Sequence, residues 1–383
     1  MDKTLKIRKI ESFLQKGSFG GGKYYGYKNY KIIGLVKIHT NKGIIGIGES
    51  LVGVYSPYLF KVNLNFLSRL LFNKTFAESF KILNNVQKNK FFFDTGILKS
   101  IIASFEIALF DILSQVKKKP LPAIFANYFK KKNFLKKVAV YASAGSILGT
   151  TKDLSKEINI AKKKGFEIFK ARISLINNNY KKKLNILRGE INNFSLDLIS
   201  NTFSKNSNLK LIQKLFIDLK EYNPIWVEEI LSKDDLHLLK KINRKNVKLS
   251  YGENFNSLND FINLIDFYKF NYINPDISHF TITDLFKLTN YLNKTKKKKK
   301  LILHCWGGNV NLYNSLSLAA VLNESIKLVE YPITDFSLNR IFLNNSKIKN
   351  SNYYFENNIK KNQDLLEKNF FKINNQKKFT FNF

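Results

Sequence analysis

Residues 136–145 read KKVAVYASAG, and at this point the chain changes rhythm. Short apolar runs follow one another with amphipathic stretches between them: VAVYAS (138–143), FEIFKAR (166–172), LDLIS (196–200), IWVEEI (225–230), VKLSYGE (247–253), YINPDI (272–277), LILHC (301–305) and IKLVEY (326–331). Each is strand length, and the stretches between them suit helices. Strand alternating with helix over residues 136–331 predicts an α/β fold, a parallel sheet closed into a (β/α)7β barrel of the TIM type.

Upstream the pattern differs. LKIRKIESF (5–13) and YKIIGLVKIHTNKGIIGIGES (30–50) alternate apolar and polar residues, with NKG at 41–43 as a turn, so an antiparallel sheet is expected. Between them GSFGGGKYYGY (17–27) reads as a Gly-rich loop that closes over the carboxyl face of the barrel. It lacks the strand, GxGxxG and helix order of a dinucleotide site. From about Ser56 to Lys132 the period is helical, clearest in SIIASFEIALFDILSQV (100–116), and Pro120 and Pro122 mark a helix end. The expected organisation is an α+β capping domain (1–132), a barrel domain (133–335) and a polar C-terminal segment (336–383) that completes the cap.

With 383 residues, 44% of them hydrophobic, the chain can bury a large core. Its formal charge of +35 would ordinarily suggest a polyanionic partner. Lysine is scattered through every segment with an excess of Asn, Ile and Phe, so a compositional bias is the better reading and no nucleic acid is expected. The run Lys296–Lys300 reads as a solvated loop. The single cysteine, Cys305, excludes a disulfide framework or a cysteine metal cluster. No signal peptide and no long uncharged apolar run are visible, which predicts a cytoplasmic protein without membrane contact.

In a barrel of this kind the active site lies at the carboxyl ends of the strands. Those ends carry Lys170 and Arg172, Glu228 and Glu229, Glu253, Asp276, His304 and Glu330. So many ionisable groups at one end require a metal or mutual pairing. His39 and His237 have no such context and read as surface residues.

These segments resemble the enolase superfamily, in particular the mandelate racemase subgroup of the mandelate racemase and muconate lactonizing enzyme family. TNKGIIGIGES (40–50) is similar to the cap's GxGE pattern, and IASFEIALFDILSQVKKKPLPAIF (102–125) to its helix with a proline-led end. VAVYASAG resembles the first barrel strand, FKARI the lysine-x-lysine strand, WVEEI the EEP strand and GEN the third ligand strand. INPDI followed by LILHCWGG resembles the aspartate and histidine dyad. The resemblance implies removal of a proton alpha to a carboxylate, with the developing charge held by a magnesium ion on oxygen ligands. It implies Glu228 and Glu253 as metal ligands, His304 as base with Asp276 behind it, and Lys170 and Arg172 on the opposite face. It also implies that Glu330 donates a hydrogen bond to the substrate carboxylate, which would need a raised pKa, and that the protein is a homo-oligomer.

The chain departs from the pattern in LDLISNTFSK (196–205), where Ser200, Asn201 or Thr202 stands in place of the usual first aspartate ligand and Asp197 lies three residues too early. It departs again in EEI for EEP and in DISHFTIT (276–283), where His279 replaces a glycine turn. Arg172 cannot lose its proton, which disfavours two-base racemisation. The expected function is therefore a lyase that dehydrates a hydroxy acid, a sugar acid, through an enediolate, acting on a small-molecule carboxylate. A non-catalytic binding or scaffold protein and a racemase or epimerase are the alternatives.

Overall fold

The computed structural model describes residues 4–18, 30–89, 96–145, 147, 149–175, 180–199, 208–244, 246–297, 300–334 and 348–355. The Gly-rich loop expected to close over the barrel, and the candidate ligands Ser200, Asn201 and Thr202, lie outside these residues apart from the loop's first two positions.

The N-terminal part is an antiparallel sheet, β1 (Ile7–Ser18), β2 (Tyr30–Thr40) and β3 (Ile45–Ser50), in that order. Helices Pro57–Leu71, Phe76–Val86, Gly96–Lys117 and Leu121–Tyr128 pack with it. The 22-residue helix Gly96–Lys117 is buried along most of its length, and β3 lies directly on its backbone. Cβ atoms at Gly46 and Gly48 would stand 2.2 Å from the Ala108 carbonyl oxygen and 1.8 Å from that of Ser104, so only glycine permits this approach. Asp111 in the same helix accepts a hydrogen bond from the Ile47 amide at 2.9 Å.

The barrel is closed by eight parallel strands: β4 (Lys137–Ala144), β5 (Ile168–Arg172), β6 (Asn193–Asp197), β7 (Val227–Glu228), β8 (Leu249–Tyr251), β9 (Tyr272–Ile273), β10 (Leu301–Leu303) and β11 (Ile326–Pro332). Strand β11 pairs back onto β4. Helices follow β4 to β10 in turn, except after β7, where a 3-10 helix (Lys233–Lys241) takes the place. This is the expected (β/α)7β barrel with an N-terminal antiparallel cap. One strand is displaced from its expected position, since β6 runs from Asn193 to Asp197 and not on to Ser200.

The described part of the C-terminal segment, residues 348–355, does not join the cap sheet. It forms β12 (Ile348–Lys349) and β13 (Asn352–Tyr354), and β13 pairs antiparallel with the beginning of β4. Ser351 Oγ accepts from the Glu167 and Ile168 amides and seals the amino-terminal end of the barrel there. No helix among the described residues is long and apolar enough to cross a membrane.

Inside the barrel Tyr141, Trp226, Tyr272, Ile302 and Leu328 form a separate apolar cluster, against which Ile168 packs. The strand period of two places the residue two positions later on the same inward face, one layer nearer the carboxyl end. Those residues are Ser143, Glu228, Asn274, His304, Glu330 and Lys170. An apolar floor thus carries a polar layer above it, while the alternate residues Phe169, Ala171, Val227, Leu303 and Val329 join the main core.

Candidate active site

Lys170 is fully buried at the centre of the polar layer. Its Nζ lies 2.8 Å from Glu228 Oε1, 3.2 Å from Glu330 Oε1 and 3.5 Å from Asp197 Oδ2. Burial alone would lower its pKa, but Glu228 and Glu330 outweigh it and hold the ammonium well above its usual range. The floor orients the same carboxylates: Trp226 Nε1 donates to Glu228 Oε2 at 3.1 Å, and Tyr141 Oη to Glu330 Oε2 at 3.3 Å. Asn274 Nδ2 also donates to Glu228 Oε2, at 3.2 Å.

Arg172 donates to the Ala144 carbonyl at 3.1 Å and to Ser143 Oγ at 3.3 Å. Its Nε stands 3.8 Å from Asp197 Oδ2 and its NH2 3.9 Å from Glu330 Oε1. Glu330 was expected to have a raised pKa. Burial does push it up, but Lys170, His304 and Arg172 overcome that and bring it down to about 2. It is therefore an ionised acceptor in this arrangement, because three cations face it.

His304 follows β10. Its Nδ1 donates to Asp276 Oδ2 at 2.7 Å, while Nε2 faces Glu253 Oε2 at 3.3 Å and Glu330 Oε2 at 3.7 Å. Asp276 is fixed in turn by the Ser278 amide at 2.8 Å. Burial opposes charge on the imidazole, yet Glu330, Glu253 and Asp276 raise His304 to about 10. Burial would likewise raise Asp276, but its hydrogen bond to His304 holds it below the ordinary carboxylate range. His279 Nε2 donates to the Glu253 carbonyl at 2.7 Å, so this departure from the glycine turn braces the loop carrying Glu253.

Asp197, Glu228 and Glu253 each offer a carboxylate oxygen within 4.8 Å of the others. The expectation that Asp197 sits too early in its strand is therefore corrected. It is the last residue of β6, in register with Arg172 on one side and Glu228 on the other. Oxygens that share one magnesium ion at about 2.1 Å stand no more than about 4.2 Å apart, so three oxygens within 4.8 Å are near enough to close on a common ion with a small shift of their side chains.

The charges fit as well. Among the described residues, Asp197, Glu228, Glu253, Asp276 and Glu330 form ion pairs with Lys170, Arg172 and His304, five formal negative charges against three positive ones. Burial and the neighbouring carboxylates accordingly raise Glu253 and push Glu228 up to about 7. Glu229 lies outside this count. Burial and Glu253 hold its carboxyl well above the usual range, and Oε1 accepts from the Gly252 amide at 2.9 Å.

The structure thus brings together His304, Asp276, Lys170, Arg172, Glu330, Glu228 and Glu253, and adds Asp197. His237 is exposed, and His39 is half-buried and bonded to Glu11.

A family pattern described as enolase C-terminal domain-like matches residues 153–357, more than half of the chain. The chain belongs to the enolase superfamily. Among solved structures, the 3,6-anhydro-D-galactonate cycloisomerase of Zobellia galactanivorans superposes with a TM-score of 0.76 at 20% identity, covering 92% of this chain and 94% of that one. A member of the enolase superfamily from Agrobacterium tumefaciens gives 0.75 at 17% identity, covering 91% and 94%. An enolase from environmental sequencing of the Sargasso Sea gives 0.71 at 21% identity, covering 85% of each chain. No curated protein matches the sequence. Members of the enolase superfamily are generally enzymes and typically bind magnesium, and an acidic trio lies together in this chain.

Proposed function

We propose that this enolase-superfamily member is a metal-dependent lyase that dehydrates a hydroxy acid of the sugar-acid class. The observation that carries the reading is the His304–Asp276 pair, Nδ1 to Oδ2 at 2.7 Å, with Nε2 turned toward the carboxylate cluster. Asp276 accepts a hydrogen bond from Nδ1–H and thereby leaves Nε2 as the nitrogen that exchanges protons with a substrate. Asp197, Glu228 and Glu253 would hold a magnesium ion, which would supply positive charge against the substrate carboxylate as the proton leaves.

The chemistry balances with one base. Nε2 takes the proton from the carbon beside the carboxylate, the next carbon loses its hydroxyl, and the imidazolium returns the proton so that water departs. The resulting enol rearranges to a 2-keto acid. His304 serves as a base only when the charges of Glu253 and Glu330 beside it are taken up, because both now hold it protonated.

Racemisation is the less favoured reading, since Arg172 does not deprotonate at all and three carboxylates face Lys170 and hold it charged in this arrangement. Ring opening of an anhydro sugar acid needs the same single proton removal, with an ether oxygen as the leaving group. The non-catalytic alternative is motivated by the missing first aspartate, EEI for EEP and the lost glycine turn, and the place of Asp197 beside Glu228 and Glu253 speaks against the first of these. We propose the division of the chain as cap 1–132, barrel 133–335 and C-terminal segment 336–383.

The test is a calorimetric magnesium titration followed by incubation with a panel of sugar acids in D2O. Magnesium binding together with deuterium entry beside the carboxylate, or release of a 2-keto acid, is expected. A protein that binds no magnesium and exchanges no such proton would overturn the reading.

A further inference from the structure

Two cap side chains reach the segment that follows His304. Lys31 in β2 donates from Nζ to the Trp306 carbonyl and, at 3.4 Å, to the Gly307 carbonyl, and stands 4.1 Å from the centre of the Trp306 ring. Glu49 in β3 accepts from the Gly308 amide and, at 3.2 Å, from the Asn311 amide. These amides open the helix Asn309–Val321, whose N-cap residue, Gly308, has no side chain to cap it. Both cap residues are buried.

The glycines make room for the carboxylate. A Cβ at Gly307 would stand 2.6 Å from Glu49 Oε1, and one at Gly308 3.1 Å from Oε2. On the barrel side the same segment is tied by the Trp306 amide to Asp276 Oδ2 at 3.4 Å, and by the Cys305 amide to Glu330 Oε2 at 3.4 Å. Residues 304–311 are therefore stretched between a cationic and anionic fork from the cap and two site carboxylates from the barrel.

We propose that Lys31 and Glu49 are positioning residues for His304, holding the backbone of residues 306–311 so that the imidazole meets Asp276. This rests on the role given to His304 above. Neither cap residue is assigned contact with the substrate. Each acts through main-chain groups, and together they make the seating of the cap and the alignment of the base one event. The Lys31 contact with the Trp306 ring strengthens that link, since Arg172 of the barrel site lies 5.9 Å from the centre of the same ring.

The test uses the full chain labelled with nitrogen-15 at histidine, with the His304→Asn variant assigning the His304 ring signals. Removing one member of the fork leaves the other as a buried charge, so the main variant is the double Lys31→Met, Glu49→Gln change. Its Nδ1 proton should exchange with solvent roughly tenfold faster than in the parent, because the loop opens more often. Lys31→Arg, which keeps the donor, should remain near the parent. Exchange unchanged in a folded double variant overturns the proposal, and if that variant does not fold, unchanged exchange in Glu49→Gln alone does so. Once a substrate is turned over, kcat should fall in the double variant with KM unchanged, whereas a merely structural role would lower the melting temperature without moving the exchange rate. Absence of magnesium binding or turnover in the parent would sink the lyase reading and leave this comparison intact.

Discussion

Glu106 offers a sharp test of how the cap is joined to the barrel. It is fully buried in the cap helix Gly96–Lys117, and accepts hydrogen bonds from the Thr283 amide at 3.1 Å and Thr283 Oγ1 at 2.8 Å, at the start of the barrel helix Ile282–Lys294. Burial pushes its pKa from 4.5 to about 7, the two Thr283 bonds only partly opposing the shift. Asp284 adds to the rise and Lys287 opposes it, while Lys99 faces Asp284 at 2.9 Å. The folded chain therefore keeps a proton that the unfolded chain loses near pH 4.5, and stability falls as pH climbs from about 4.5 to 7. At about 1.36 kcal/mol per unit, the loss between pH 5 and 8 comes to about 2–3 kcal/mol. Glu106→Gln keeps an acceptor for Thr283 and does not titrate. Urea unfolding at pH 5, 6, 7 and 8 should show the variant gaining about 2–3 kcal/mol on the parent across that range, with equal m-values. A parent-to-variant difference that stays flat with pH would refute the reasoning.

Asp197→Asn should weaken magnesium binding roughly 10–100-fold or more in calorimetry, since it removes a negative ligand from the trio. His304→Asn should lower kcat by roughly 10²–10⁴-fold while the magnesium titration stays as in the parent, and Asp276→Asn should come close to it by freeing the imidazole tautomer. Lys170→Met leaves three buried carboxylates without their shared partner and should cost about 3–5 kcal/mol of stability by urea unfolding. Adding magnesium should restore part of that loss if the trio binds the ion, because binding to the folded state alone adds stability.

The barrel was legible because period-two strands leave a strong mark. An apolar residue followed two positions later by an ionisable one occurs at Ile168 and Lys170, Trp226 and Glu228, Ile302 and His304, and Leu328 and Glu330. The site was legible for the same reason, since each of these pairs places its charge above the floor. The cap's share of the site was not legible. Lys31 and Glu49 sit in strands with an ordinary alternating pattern, and nothing near them in sequence shows that a loop 250 residues or more away hangs on their side chains. Glu106 was hidden likewise within an apolar helix. The pairing of the described C-terminal residues, 348–355, was not legible either, because they carry a short hairpin whose partner, the first edge of β4, cannot be inferred from local pattern.

Asp197 shows why counting along the chain fails where pairing decides. LDLIS invites a strand that runs to Ser200, since all its apolar residues suit one. In the structure the ladder places Arg172 opposite Asp197 and Asp197 opposite Glu228, so the strand must stop where its neighbours end. Asp197 Oδ1 then accepts the Ile199 amide at 2.9 Å, and Ile199 takes a φ of 48°, a turn that carries the chain out of the sheet. A β-branched residue in the left-handed region is costly, so the surroundings must impose it. The same turn leaves the second oxygen, Oδ2, facing Lys170 and Arg172. An aspartate is required for both tasks, because asparagine could bridge to the Ile199 amide but would bring no charge to the trio. Asp197→Asn thus separates the metal role from the turn: magnesium affinity should fall while the unfolding midpoint in the absence of magnesium stays the same or rises, since the buried cluster loses a negative charge it cannot balance. A variant that loses stability and magnesium affinity together would mean that the carboxylate is held for the fold as well and that the two roles are not separable, whereas one that keeps its magnesium affinity would leave the ion to Glu228 and Glu253 alone.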